Sequence, residues 1–238
     1  KEFFEKFKDG WKAPEKPIHD LSEEKLDSAE LGLNHRYYDE YLASWDHETG
    51  RLFDFLKGSG LEENSYIIIT ADHGELFERG IKGHFTKLIY DPLIRVPLIV
   101  SRPGQAARED IHALTSSVDI LPTIASWLGH PIPAWTEGEL LLELGEVQNE
   151  HRSIFSVDAK YNSSFTPLRN YSISITREAH RFIHYNYPKD DYEKFEFYDL
   201  HSDPNELTDL FPSKPTLALE MREELMQKVE EVNKPYRR

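Results

Sequence analysis

The sequence predicts an α/β core followed by a small α+β unit, and three observations carry that prediction. Tyr66-Ile67-Ile68-Ile69 is a short, continuous apolar run without alternation, the pattern of a strand buried on both faces, as in a parallel sheet with helices above and below. Residues 96–100 form a second such run. From about His151 the composition changes to short β-branched or aromatic segments separated by turn residues, and an amphipathic helical pattern follows them. The predicted division places residues 1–148 in the core and 149–238 in the smaller unit.

The elements follow in chain order. Residues 1–20 mix Lys and Glu with Pro14 and Pro17 and read as an irregular approach. Phe3, Phe4, Phe7 and Trp11 sit at helical spacing and read as packing against further sequence. A helical pattern starts near Ser22 and is interrupted at Gly32. Tyr38, Leu42, Trp45, Leu52 and Leu56 then recur every three to four residues, so 34–57 is a predicted helix, ended by Gly58 and Gly60. His35, Asp46 and His47 lie on it without metal-ligand spacing and read as solvated-face residues.

After the two apolar strands, Pro103-Gly104 ends the second, and Pro97 assigns that strand to a sheet edge or a strand start. Residues 118–128 read as a helix with Asp119 as its cap and Pro122 in its first turn. Gly129-His130-Pro131-Ile132-Pro133 breaks the pattern. Strands are predicted at 153–157, 171–176, 181–185 and 196–199, a turn at Asp203-Pro204, and a last helix over 217–232. His180, His184 and His201 show no consistent ligand spacing.

Composition narrows the partners. A net charge of −15 with dispersed acidic residues argues against a nucleic-acid backbone or an anionic membrane surface as the main partner. No stretch approaches the roughly 18 apolar residues of a membrane span. With no cysteine, disulfides and thiolate sites are excluded from the 238 residues. Lys1 to Lys6 is charged and amphipathic, unlike a signal peptide, and the compartment is left open.

Candidate chemistry concentrates just past the first strand. Asp72-His73-Gly74-Glu75 follows its carboxyl end, the edge at which ligands bind in open α/β sheets. Asp72 and His73 side by side offer one oxygen and one nitrogen to a divalent cation. By itself such a pair equally suits a turn cap and a surface histidine. In the loop 76–87, Gly80 and Gly83 allow close backbone approach to a ligand, and His84 and Lys87 offer donors to an oxyanion.

Four ordered segments resemble the sulfatases of the alkaline-phosphatase superfamily. They are Thr70-Ala71-Asp72-His73-Gly74-Glu75 with Gly80 and Gly83-His84, then Arg95-Val96-Pro97-Leu98-Ile99-Val100 with Pro103-Gly104. Val118-Asp119-Ile120-Leu121-Pro122-Thr123 and Phe197-Tyr198-Asp199-Leu200-His201-Ser202-Asp203-Pro204-Asn205-Glu206 complete the set. Residues 138–145 resemble the tail of the family's main domain, with Glu139 where a Ser is usual.

The resemblance implies part of an alkaline-phosphatase-like mixed sheet sandwiched by helices, plus a small antiparallel sheet with a helix. It implies a sulfuric ester hydrolase acting on a small-molecule or sugar sulfate ester. Asp72 and His73 would hold a divalent metal, Ca2+ first, with Mn2+ or Zn2+ as alternatives because imidazole favours those ions. His84 would bind sulfate oxygens and protonate the leaving group, and Lys87 is a second candidate for binding them. The family's formylglycine segment, Cys/Ser-x-Pro-x-Arg, and its first Asp-Asp pair have no counterpart in the 238 residues. The chain is therefore expected to be the carboxy-terminal part of a longer enzyme, inert alone, with the missing half as partner and association through uncovered sheet edges as a possibility. A phosphonate or phosphodiester hydrolase, a phosphoethanolamine transferase of the same superfamily, and an inactive fragment stay open as alternatives.

Overall fold

The computed structural model describes residues 11–12, 14–23, 25–141 and 151–236. These fall into two compact units, Lys1–Ala107 and Arg108–Arg238. The boundary expected at 148, the spacing of Phe3, Phe4 and Phe7, and the last residues of the 138–145 segment lie outside the described residues.

The first unit opens on a long helix, α1, Ser28–Gly58. Asp27 starts it: its carboxylate accepts hydrogen bonds from the Ala29 and Glu30 amides at 2.8 and 2.9 Å. Glu30 reaches back to the Asp27 amide at 3.4 Å and completes a capping box. The helix therefore begins six residues before the expected start at 34 and runs through Gly32, because the reciprocal cap offsets the roughly 1 kcal/mol that one mid-helix glycine costs. Trp11 is not helical; its ring stacks on His35 of α1 at 3.7 Å. His35 in turn meets Phe77 edge-on at 5.3 Å and pairs with Asp39 at 3.1 Å, so it packs within the fold rather than on a solvated face.

Strands β1, Ile67–Thr70, and β4, Leu98–Ser101, pair antiparallel, from Ile67 opposite Ser101 to Thr70 opposite Leu98. This corrects the expected two-faced burial in a parallel arrangement. Both strands are only half-buried, Ile99 is 58% exposed, and no third described strand joins them. Pro97 directly precedes β4, as expected of a strand start.

Between them lies an unexpected hairpin, β2, Leu76–Glu78, and β3, Ile81–Gly83, followed by the one-turn helix α2, Asp91–Ile94. Arg79 and Gly80, the two turn residues, have φ of 54° and 80°, the backbone of a type I′ turn. Leu76, Glu78, Arg79 and Ile81 are buried. Three residues that precede α1 clamp this hairpin: Lys16 pairs with Glu78 at 2.7 Å, the Ser22 hydroxyl donates to the Arg79 carbonyl, and the Leu26 amide donates to the Gly80 carbonyl. The Arg79 guanidinium lies 3.8 Å over the Tyr90 ring. What the sequence suggested was a glycine-rich loop is thus a built β-structure.

The second unit contains α3, Ile120–Trp127, and the four-stranded antiparallel meander β5–β8: Ser153–Asp158, Tyr171–Arg177, His180–Tyr187 and Tyr192–Asp199. Helix α4, Thr216–Asn233, presents Ala218, Met221, Leu225 and Val229 to Tyr171, Ile173, Ile175, Phe182 and Phe197 of the sheet. Period-2 alternation on the strands meets 3.6-residue periodicity on the helix, which is why these elements were legible. Pro122 sits in the first turn of α3. Asp119, expected to cap α3, instead closes a capping box with Ser116 one turn earlier.

Candidate active site

The turn after β1 is pinned against α2. The Gly74 amide donates to the Leu93 carbonyl at 2.8 Å, and a Cβ added at Gly74 would fall 2.0 Å from the Pro92 carbonyl oxygen. Only glycine fits between His73 and Glu75 on this path. The turn leaves the Asp72 side chain 88% exposed. Its Oδ1 accepts the His73 amide at 3.0 Å, and its Oδ2 lies 3.6 Å from His73 Nε2. His73 Nδ1–H donates to the Gly74 carbonyl at 2.9 Å, which leaves Nε2 with the lone pair of the neutral ring.

The hairpin then brings His84 back. Leu76 pairs with Gly83, so the residues flanking that pair, Glu75 and His84, meet across the open end of the ladder. His84 Nδ1–H donates to Glu75 Oε1 at 2.7 Å. The His73 and His84 rings stand 4.1 Å apart, tilted by 37°. Glu75 Oε2 is buried and has no hydrogen-bond partner. Gly83, with φ of 92°, lies against that oxygen: a Cβ there would sit 3.4 Å from it. Phe85, 89% exposed, stacks obliquely on His84 at 4.3 Å.

His73, Glu75 and His84 each offer one ligand atom, and these atoms lie within 4.8 Å of one another. A carboxylate beside two imidazoles fits a divalent cation. The nitrogen-rich donor set suits zinc or manganese better than calcium, which takes six to eight oxygens. Asp72 borders this group and reaches solvent. Lys87 lies in the bend beyond His84, half-buried. Glu75 is the residue that sequence reasoning passed over. Its place in the Asp-His-Gly-Glu turn was visible, but only the hairpin register shows that it faces His84.

The family profile for sulfatases matches residues 1–130, and that for the C-terminal region of N-sulphoglucosamine sulphohydrolase matches residues 80–235. The chain belongs to the sulfatase family. A curated sulfatase, the N-acetylglucosamine-6-O-sulfatase of Bacteroides thetaiotaomicron, is 29% identical over 212 residues, covering 85% of this chain and 36% of the relative. A solved structure described as a complex with its substrate D-glucosamine-2-N,6-O-disulfate is similar at 25% identity and a TM-score of 0.66, covering 91% of this chain and 44% of that one. The phosphonate monoester hydrolase of Silicibacter pomeroyi shares the fold at 22% identity and a TM-score of 0.69, covering 87% and 42%. The sulfatase chain thus spans less than two-fifths of the length of curated relatives that it matches. Its mixed α/β unit and small antiparallel sheet with a C-terminal helix are those of the alkaline-phosphatase-like sulfatase fold. Among the described residues no helix is long and apolar enough to cross a membrane.

Proposed function

We propose that this chain supplies the metal-binding turn and the proton donor of a sulfuric ester hydrolase acting on sugar sulfates. The observation that carries the reading is the juxtaposition of His73 and His84 at 4.1 Å, beside Asp72 and past the carboxyl end of β1. The sugar-sulfate substrate class is taken from the relatives named above.

In this reading Asp72 and His73 hold a divalent cation, Ca2+, Mn2+ or Zn2+. When bound, such a cation neutralises the sulfate oxygens as a Lewis acid. His84 binds a sulfate oxygen and then passes the proton on its Nε2 to the oxygen of the departing alcohol. Glu75 supports that step by accepting the Nδ1–H bond, which aims the ring. Lys87 adds a second positive charge for the sulfate oxygens. The attacking nucleophile, a formylglycine in this reading, belongs to sequence of the longer protein outside these 238 residues.

The test uses the full-length protein with a chromogenic aryl sulfate, glucosamine-6-sulfate and an aryl phosphonate. The expected result is sulfate ester turnover that Asp72→Ala abolishes and His84→Gln lowers mainly in kcat. Phosphonate turnover without sulfate turnover would transfer the reading to the phosphoryl branch of the superfamily. The 238-residue chain by itself is expected to be inert toward all three, and robust turnover by it would contradict this division of labour.

A further inference from the structure

We infer that His73, Glu75 and His84 together form a three-residue transition-metal site, selective for Zn2+ over Ca2+, whose donor set differs from the Asp72–His73 pair. Two imidazoles and one carboxylate are a recognised zinc donor set, with a fourth position left for water. Three features of the chain prepare it. The ligand atoms lie within 4.8 Å of one another without a cation to draw them together. The His73 Nδ1–H bond to the Gly74 carbonyl selects a ring tautomer with an available nitrogen. Glu75 Oε2 is buried without any hydrogen-bond partner, so the protein itself leaves this carboxylate half satisfied.

The frame around the site is rigid. Gly74 is wedged against Pro92, and the type I′ hairpin that returns His84 is clamped by Lys16, Ser22 and Leu26. Little ordering remains to be done when a metal enters. Calcium is disfavoured because two of the three residues offer nitrogen where calcium takes oxygen. One consequence rests on the function proposed above: Zn2+ seated here engages His84 and withdraws it as a proton donor, so zinc would inhibit the same enzyme that a cation on Asp72 and His73 supports.

The site is tested on the 238-residue chain with Co2+ as a spectroscopic stand-in for Zn2+, so that the outcome does not depend on turnover. The expected result is one equivalent of Co2+ with the visible bands of a four-coordinate ion, displaced by Zn2+ and not by excess Ca2+. His84→Gln and Glu75→Gln should each weaken Co2+ binding by about tenfold or more. Asp72→Asn should retain the bands. Circular dichroism melts of each variant separate ligand loss from unfolding. No Co2+ binding, displacement by Ca2+, bands that survive His84→Gln, or bands lost in folded Asp72→Asn would each overturn the three-residue set. A failed sulfatase assay would leave this result standing, and the reverse holds equally.

Discussion

Arg152 grips Asp119 through two hydrogen bonds, Nη1 to Oδ2 at 2.8 Å and Nη2 to Oδ1 at 2.5 Å, across 33 residues of sequence. Asp119 is fully buried and also accepts the Ser116 and Glu139 amides at 2.7 and 3.0 Å. Burial works against the Arg152 charge, but the hydrogen bond and the charge of Asp119 outweigh it and hold the guanidinium above its ordinary value. Asp119 therefore ties the start of α3, the strand-free segment at Glu139 and the approach to β5 into one knot. Asp119→Ala is expected to destabilise the chain by about 2–4 kcal/mol, because it removes the main partner of the half-buried Arg152 guanidinium and leaves two amides unpaired. Urea unfolding checks this, and a loss below about 1 kcal/mol would show the knot to be dispensable.

The wedge at Gly74 gives a second expectation. Gly74→Ala must displace the Pro92 carbonyl, which sits 2.0 Å from the new Cβ. A loss of about 1–3 kcal/mol is expected, together with weaker Co2+ binding, because His73 and Glu75 flank the displaced residue. Gly138→Ala meets the Val118 carbonyl at 2.2 Å and is expected to cost a similar amount while leaving Co2+ binding unchanged. Thermal melts and Co2+ titration of both variants distinguish the two.

Asp72 separates function from stability. Its side chain is 88% exposed, so Asp72→Asn is expected to change unfolding free energy by no more than about 0.5 kcal/mol. In the full-length protein the same change is expected to lower kcat/KM for a sulfate ester by at least about 100-fold. Unchanged turnover would remove Asp72 from the site.

His184 sets a pH dependence in the second unit. Burial pushes its imidazole below the ordinary value of 6.5; the Glu193 partner at 3.0 Å opposes that shift, and Arg222 adds to it. Tyr171, whose phenol burial pushes up to about 12, faces the other ring nitrogen at 3.4 Å and stays neutral throughout this range. The unfolded chain thus binds more protons than the folded one below about pH 6.5, so the contribution is full above that value and is lost as pH falls. Unfolding free energy measured from pH 7.5 to 5 should decline, and His184→Asn should flatten the decline. Equal slopes in both proteins would assign the effect elsewhere.

Leu225 probes the core. It is fully buried between α4 and the sheet with Ile175, Phe182 and Met221. Leu225→Ala is expected to cost about 2–5 kcal/mol in denaturant unfolding. A value near zero would mean that α4 does not anchor this sheet.

Local pattern alone determined much of this protein. The alternating, β-branched segments after His151 became β5 to β8 within a few residues of their expected limits, and the last helix matched as closely. Such elements are legible because each buries one face, and the period of that face is written in consecutive residues. The start of α1 was misplaced because Gly32 outweighed the Asp27–Glu30 cap in the reading, although both cap residues were in plain view. The hairpin at Arg79-Gly80 was missed because an arginine with φ of 54° has no turn signature.

The site divides along the same line. Asp72, His73 and His84 were readable as residue types following a strand, and the family motifs around them were readable too. Tertiary structure alone decided that His84 rests on Glu75, that Glu75 keeps one buried oxygen unsatisfied, and that His73 joins these two in one cluster. Those facts depend on hairpin register and on a glycine wedged under a distant proline carbonyl. Such contacts arise when chain segments pack together, and a periodicity along the sequence carries no record of them.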